Sequence, residues 1–141
     1  MIVRWTNPEA SLALIPWYIP NGATRADIGL KLYDRLIKYP NDTFVLVAIE
    51  DRRIRAVLIG YARKDDVLVW QAHAGLGFSH SREMFSQLCE WAAGKGYTKL
   101  SIETKRSPLA YNRRWGFMIT GTYTDQGNIY YKMTKRIGEV Q

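Results

Sequence analysis

Residues 79–117, SHSREMFSQLCEWAAGKGYTKLSIETKRSPLAYNRRWGF, decide how this chain is read. Met84, Phe85, Leu88, Cys89 and Ala92 recur with the 3.6-residue period of one apolar helix face, and Gly94 and Gly96 suit its end. Leu100 to Thr104 is a short strand, and because a helix separates it from the strand before, the two are expected to run parallel. Ser107-Pro108 places an N-cap residue before a proline at the first helical position, opening a short helix that stops at Trp115-Gly116-Phe117. The first helix follows a glycine-containing loop directly. Its unpaired N–H groups and a dipole of about half a positive charge make anion binding the first functional expectation.

Upstream, Thr24-Arg25-Ala26-Asp27 resembles a capping box with Asp in place of Glu, ahead of Ile28, Leu32, Tyr33, Leu36 and Ile37 at helical spacing, and Pro40 ends that helix. Thr43 to Glu50 is a dense β-branched run; a polar turn at Asp51-Arg52-Arg53 leads to a second run, Ile54 to Arg63. Another turn at Lys64-Asp65-Asp66 precedes Val67 to His73, so three antiparallel strands are expected in succession. Downstream, Phe117 to Tyr123 and Ile129 to Thr134 pair across Asp125-Gln126-Gly127-Asn128. No internal repeat interrupts this order.

A chain of 141 residues is most simply one domain, 1–141. The lone Cys89 excludes an internal disulfide and, lying on the apolar stripe, reads as packing. Apolar runs such as Phe44 to Ile49 are too short to cross a bilayer, and the N-terminus reads as a strand where a signal peptide would have a charged and then apolar layout. A soluble cytoplasmic protein is expected. Two histidines and one cysteine in no ligand spacing make a metal site unexpected. The net charge of +7, partly clustered at Arg52, Arg53 and Arg55 and at Lys105, Arg106, Arg113 and Arg114, invites an anionic partner.

The order of elements, with Glu90 to Tyr97, Leu100 to Glu103, Ala110 to Phe117, Gly121 and Tyr130 to Met133, resembles the GNAT superfamily of acyl-CoA-dependent N-acyltransferases over most of the chain. It is closest in kind to the divergent members common in phage genomes, which would place it in the host cytoplasm. The resemblance implies an α/β (α+β) fold. Its mixed, mostly antiparallel sheet would have a splayed parallel strand pair and helices on both faces. It further implies acetyl-CoA as co-substrate and direct attack by an amine. The pyrophosphate would sit at Ser79, His80, Ser81 and Arg82, and strand backbone at Gln71, Ala72 and His73 would meet the pantetheine arm and the thioester.

Two departures from the family pattern stand out. Its pyrophosphate loop, Q/R-x-x-G-x-G/A, falls on Leu76, Gly77, Phe78, Ser79, His80 and Ser81, with serine at both glycine positions, although Gly75 and Gly77 would serve a loop one residue longer. Its frequent tyrosine, four residues before the glycine of Gly-Phe, is Asn112, which has no titratable proton; Tyr111 is adjacent but about 100 degrees around the helix. Asn112 is thus carried over as a cofactor contact and Tyr111 as the alternative acid.

Within that frame His73, at a strand end, and Glu103, in the parallel strand, are rival general bases. Against each stands a plain structural role, Glu103 pairing with Lys99 or Lys105. Trp17 and Tyr18, between the first helices, would wall the acceptor site. The alternative is a catalytically inactive protein of this fold, a structural or interaction component such as part of a phage particle. A homodimer is a family-level expectation, the acceptor amine is open, and nucleic-acid binding through the basic clusters is the weaker reading.

Overall fold

A computed structural model describes residues 1–20, 23–75 and 79–137. In chain order the elements are β1 Ile2–Arg4, α1 Ala10–Ala13, a 3-10 turn Ile15–Trp17, α2 Arg25–Lys38, β2 Thr43–Glu50, β3 Arg53–Ala62, β4 Val67–Ala74, α3 Ser81–Gly94, β5 Lys99–Thr104, α4 Pro108–Trp115, β6 Met118–Asp125 and β7 Asn128–Arg136. The expected capping box is present: the Thr24 hydroxyl accepts from the Asp27 N–H at 3.0 Å, and the Asp27 carboxylate accepts from the Thr24 N–H at 3.4 Å. Ser107 stands at the N-cap of α4 without a side-chain capping bond, while Gly116 ends that helix with φ +75°, a conformation strained for any residue with a Cβ.

The strands form one mixed sheet in the order β1-β2-β3-β4-β5-β7-β6, antiparallel except where β4 meets β5. This is the expected GNAT-like arrangement. Near-continuous apolar strands follow from cover on both faces. Phe44, Leu46, Ala48, Ala56 and Leu58 face a core with Met84, Phe85, Leu88 and Ala92 of α3 and Tyr111 of α4. Val45, Val47, Val57 and Ile59 alternate to the other face, against Leu14, Tyr18, Ile28, Leu32 and Leu36.

Two features of the middle strands position the site. Ile59 pairs with Gln71 and Gly60 with Val69, leaving Trp70 as the extra residue of a β-bulge in β4. Gly60 is required there, since a Cβ would stand 3.0 Å from the Leu68 carbonyl oxygen and 3.3 Å from Leu88 Cδ1. The parallel pairing of β4 with β5 covers Val67–Leu100, Leu68–Ser101 and Val69–Ile102 and then stops. A buried clasp holds the closed end: Asp66 takes two bonds of 2.7 Å from Arg63 and one from the Ser101 hydroxyl.

Candidate functional site

Beyond the bulge, β4 keeps its ladder to β3 through Ala74 while β5 keeps its ladder to β7 through Thr104, so the two parallel strands part. The β5-side backbone of residues 70–74 is thereby left without a strand partner, as amide-recognising N–H and C=O groups. This opening leads to a cleft of about 390 Å³ between the sheet, the start of α3 and α4. Val69, Ile102, Met84, Phe85 and Phe117 give it an apolar floor; His73, Ser81, Arg106, Ser107, Tyr111 and Arg114 supply its polar groups. Among the described residues no Asp or Glu lines it, and the charged side chains that do are arginines.

One residue of the expected phosphate loop borders the cleft. Ser81 is the first residue of α3 and lines the cleft, and the first-turn N–H groups beside it have no intrahelical acceptor. His80 is the N-cap residue, without a side-chain capping bond; Ser79, His80 and Arg82 are exposed, and Arg82 does not line the cleft. Leu76, Gly77 and Phe78 lie outside the described residues. Gly75 extends the β3 ladder, donating to the Arg55 carbonyl at 2.7 Å, where a Cβ would come within 3.1 Å of that oxygen. The guanidiniums lining the cleft are those of Arg106, after β5, and Arg114, on α4. Sequence reading had placed both only in a charge cluster.

Ala72 and His73 line the cleft as expected, whereas the Gln71 side chain is turned to the opposite face. There it is buried, accepting from the Ile19 N–H at 2.7 Å and donating to the Ile19 carbonyl at 3.3 Å, which ties the segment after the 3-10 turn to β4. His73 Nδ1 lies 3.1 Å from the Trp17 carbonyl oxygen, and the two rings meet edge-on at 5.2 Å. Trp17 is half-buried against this histidine.

Three expectations are corrected. Asn112 does not face the cleft; it is exposed, and its amide donates to the Phe117 carbonyl at 2.9 Å and to the Met118 sulfur at 3.4 Å. Tyr111 takes the inward position, 8% exposed and packed against Trp115 and Phe117. The sequence held a signal for this: Tyr111 and Trp115 are spaced i, i+4 and must share the buried face of α4, which turns Asn112 away. The Tyr18 side chain is not a wall of the acceptor site. It is 1% exposed, its hydroxyl bonds the Ser11 carbonyl, and burial pushes that hydroxyl's pKa up. Ile19, its neighbour, is the residue that reaches the opening.

Glu103 belongs to the other side of the sheet. It lines a cavity of about 310 Å³ between α2 and the β6–β7 hairpin, along with Asp27, Lys31, Trp70, Tyr123 and Asp125. In the ladder it stands opposite Lys132, not in an ion pair with Lys99 or Lys105 among the described residues. Tyr123, in the same lining, has its hydroxyl pKa pushed up to about 12 by burial and by the neighbouring Glu103 carboxylate. A narrower space of about 40 Å³, lined by Val69, Ala72, Ile102, Glu103 and Tyr111 among others, lies at the splay and shares lining residues with the cavity on each side. Tyr123 and Asp125 escaped sequence reading because they enter the site only when β6 folds back beside β7.

Among the described residues no group of His, Cys, Asp and Glu is placed to hold a metal, and no helix is long and apolar enough to cross a membrane. The donor set does fit a nucleotide thioester: helix N–H groups and two guanidiniums for phosphate, an apolar slot and open strand backbone for an amide-containing arm.

No family model and no curated protein matches the sequence. Solved structures do. A GNAT-family acetyltransferase structure from Desulfovibrio desulfuricans superposes with a TM-score of 0.75 at 15% identity, covering 96% of this chain and 98% of that one. YncA from Salmonella typhimurium, solved with its cofactor acetyl-CoA, gives 0.74 at 15% identity over 100% and 95%. The PaiA N-acetyltransferase from Thermoplasma acidophilum, in complex with coenzyme A, gives 0.71 at 13% over 96% and 99%. The likeness spans the whole sheet and its helices, and the chain has the fold of the GNAT acetyltransferases.

Proposed function

We propose that this chain is an N-acetyltransferase that moves an acetyl group from acetyl-CoA to an amine by direct attack. The observation that carries this reading is the β4–β5 splay, which lies between a cationic, apolar-floored cleft on one face of the sheet and a carboxylate-bearing cavity on the other. Two substrates entering from opposite faces would meet at Ala72, Glu103 and Tyr111. The complexes of YncA with acetyl-CoA and of PaiA with coenzyme A support the cofactor assignment.

Bound acetyl-CoA supplies an activated carbonyl carbon and a thiolate leaving group. Arg106, Arg114 and the first turn of α3 hold the phosphates, and the open edge of β4 aligns the pantetheine amides along residues 70–74. An N–H of that edge near His73 meets the negative charge that grows on the carbonyl oxygen during attack. The amine must arrive uncharged at nitrogen, so its proton passes to Glu103, directly or through one water. The C–N bond forms, the C–S bond breaks, and the Tyr111 hydroxyl gives the departing sulfur its proton; the second proton lost from the nitrogen as the amide forms returns to Tyr111 through water, and the first leaves Glu103 to solvent. His73 walls the cleft beside this point.

Isothermal titration with acetyl-CoA, with CoA and a short DNA duplex as comparisons, is the test. Saturable acetyl-CoA binding that exceeds DNA binding at moderate salt is expected. A folded sample that takes up no acetyl-CoA would sink the reading and move the search to protein partners.

A further inference from the structure

We infer that the cavity on the α2 face takes a small aliphatic amine bearing a second positive charge, with its distal cation held between the Trp70 ring and the Asp125 carboxylate. This deepens the acetyl-transfer reading and rests on it. The first support is a difference of charge between the two sides of the sheet. The chain carries a net +7, and among the described residues the cleft on the α3 face is lined by arginines and no carboxylate. The α2-face cavity has the carboxylates of Asp27, Glu103 and Asp125 among its described lining residues with the ammonium of Lys31, while the Lys132 ammonium lies 5.3 Å from the Tyr123 ring and the Arg35 guanidinium 4.1 Å from that of Tyr61. Carboxylates in the lining make this side the better place for a cation, and the arginine-lined cleft the better place for CoA phosphates.

The second support is aromatic. Trp70 is the bulged residue of β4, so the bulge that opens the splay also aims this ring into the cavity. It is braced edge-on by Tyr61 at 5.6 Å and 81°. The Lys31 ammonium already lies over these faces, 5.3 Å from the Trp70 centroid and 6.0 Å from that of Tyr61. The rings therefore present a surface where an ammonium rests, and an exposed lysine is readily displaced from it. The third support is size: about 310 Å³ is at the small end of ligand pockets and suits a short diamine better than a folded peptide. One nitrogen gives its proton to Glu103 and is acetylated; the other keeps its charge and fixes the chain length between the two.

The test compares diaminopentane, pentylamine and aminopentanoate, which share a reacting amine and carry a cation, a methyl and a carboxylate at the far end. Acetyl-CoA binding is measured in parallel by titration. Diaminopentane is expected to show a kcat/KM on the order of tenfold above pentylamine, falling with salt, and aminopentanoate the lowest. Asp125→Asn, a substitution that a hairpin turn accommodates, should remove most of that preference and leave acetyl-CoA affinity unchanged. Quenching of tryptophan fluorescence by diaminopentane without acetyl-CoA, lost in Trp70→Leu, reads the cation site apart from turnover. Acetyl-CoA binding with equal use of all three amines, or faster acetylation of a short peptide's α-amine, overturns the inference and spares the acetyl-transfer reading. Cation-dependent quenching in a protein that binds no acetyl-CoA upholds the cation site and removes the enzyme.

Discussion

His73 Nδ1 stands 3.1 Å from the carbonyl oxygen of Trp17, which can only accept, so Nδ1 is the donor in this contact and the ring is held by it. His73 thus walls the α3-face cleft, while Glu103, the base in the proposed mechanism, faces the α2-face cavity. Glu103→Gln keeps the shape and removes the base, and is expected to lower kcat by about 10²–10⁴ with acetyl-CoA affinity unchanged. His73→Ala should cost under about tenfold by loosening the thioester's seat. Steady-state kinetics on both variants decides; a large loss in His73→Ala beside an active Glu103→Gln would move the base to the histidine.

α4 turns Tyr111 inward and Asn112, at the position where motif counting expects a tyrosine, outward. Tyr111→Phe keeps the packing with Trp115 and Phe117 and removes only the proton donor. A modest fall in kcat, about tenfold or less, is expected because a CoA thiolate leaves readily even when water protonates it. Asn112→Ala should leave kcat intact and lower stability by about 0.5–1.5 kcal/mol, the value of its bond to the Phe117 carbonyl. Urea unfolding and kinetics on the same two proteins separate these effects. A kcat lost with Asn112 would return that residue to the site.

The elements of the fold were legible wherever periodicity and turn chemistry agree. The capping box at Thr24, the apolar stripe from Met84 to Ala92, and the Gly116 exit each declare a local conformation through local residues. The bulge at Trp70 was not legible, because it depends on the register between β3 and β4 and on the space that Gly60 leaves opposite. The site divides the same way. Ser81 and His73 follow from their places at element ends. Arg106, Arg114, Tyr123 and Asp125 reach it from separate elements that tertiary packing alone brings together, and Tyr18 looked like a loop residue until its hydroxyl found the Ser11 carbonyl.

The clasp that closes the splay's far end predicts acid sensitivity. Burial opposes ionisation of Asp66, but the hydrogen bonds from Arg63 and Ser101 outweigh it and hold its carboxyl below the ordinary 3.8. With the folded-state value depressed, the stabilisation is present above the unfolded-state value and is lost as pH falls from there through the folded one. Asp66→Asn should therefore cost about 1–2 kcal/mol at neutral pH, discounted because Arg63 is partly solvated. On the acid side of 3.8 the gap from the wild type should close. Denaturant midpoints measured on both proteins across that range check it, and a pH-independent gap would assign the loss to packing.

The cofactor cleft makes a prediction that separates helix from guanidinium. Ser81 begins α3, so Ser81→Asp adds a negative charge beside the N–H groups expected to meet phosphate. An acid in the first turn favours the helix itself, by about 0.3–1 kcal/mol through the dipole. Stability should thus rise or hold while acetyl-CoA affinity falls on the order of tenfold, a combination that general damage to the fold does not produce. Arg114→Gln should weaken acetyl-CoA by a comparable factor and flatten the salt dependence of binding, since one charge-assisted contact is removed. Titrations of both variants at two salt concentrations test the pair. Undiminished affinity in Ser81→Asp with a loss in Arg114→Gln would take the phosphates away from the start of α3 and seat them on α4 and the segment after β5.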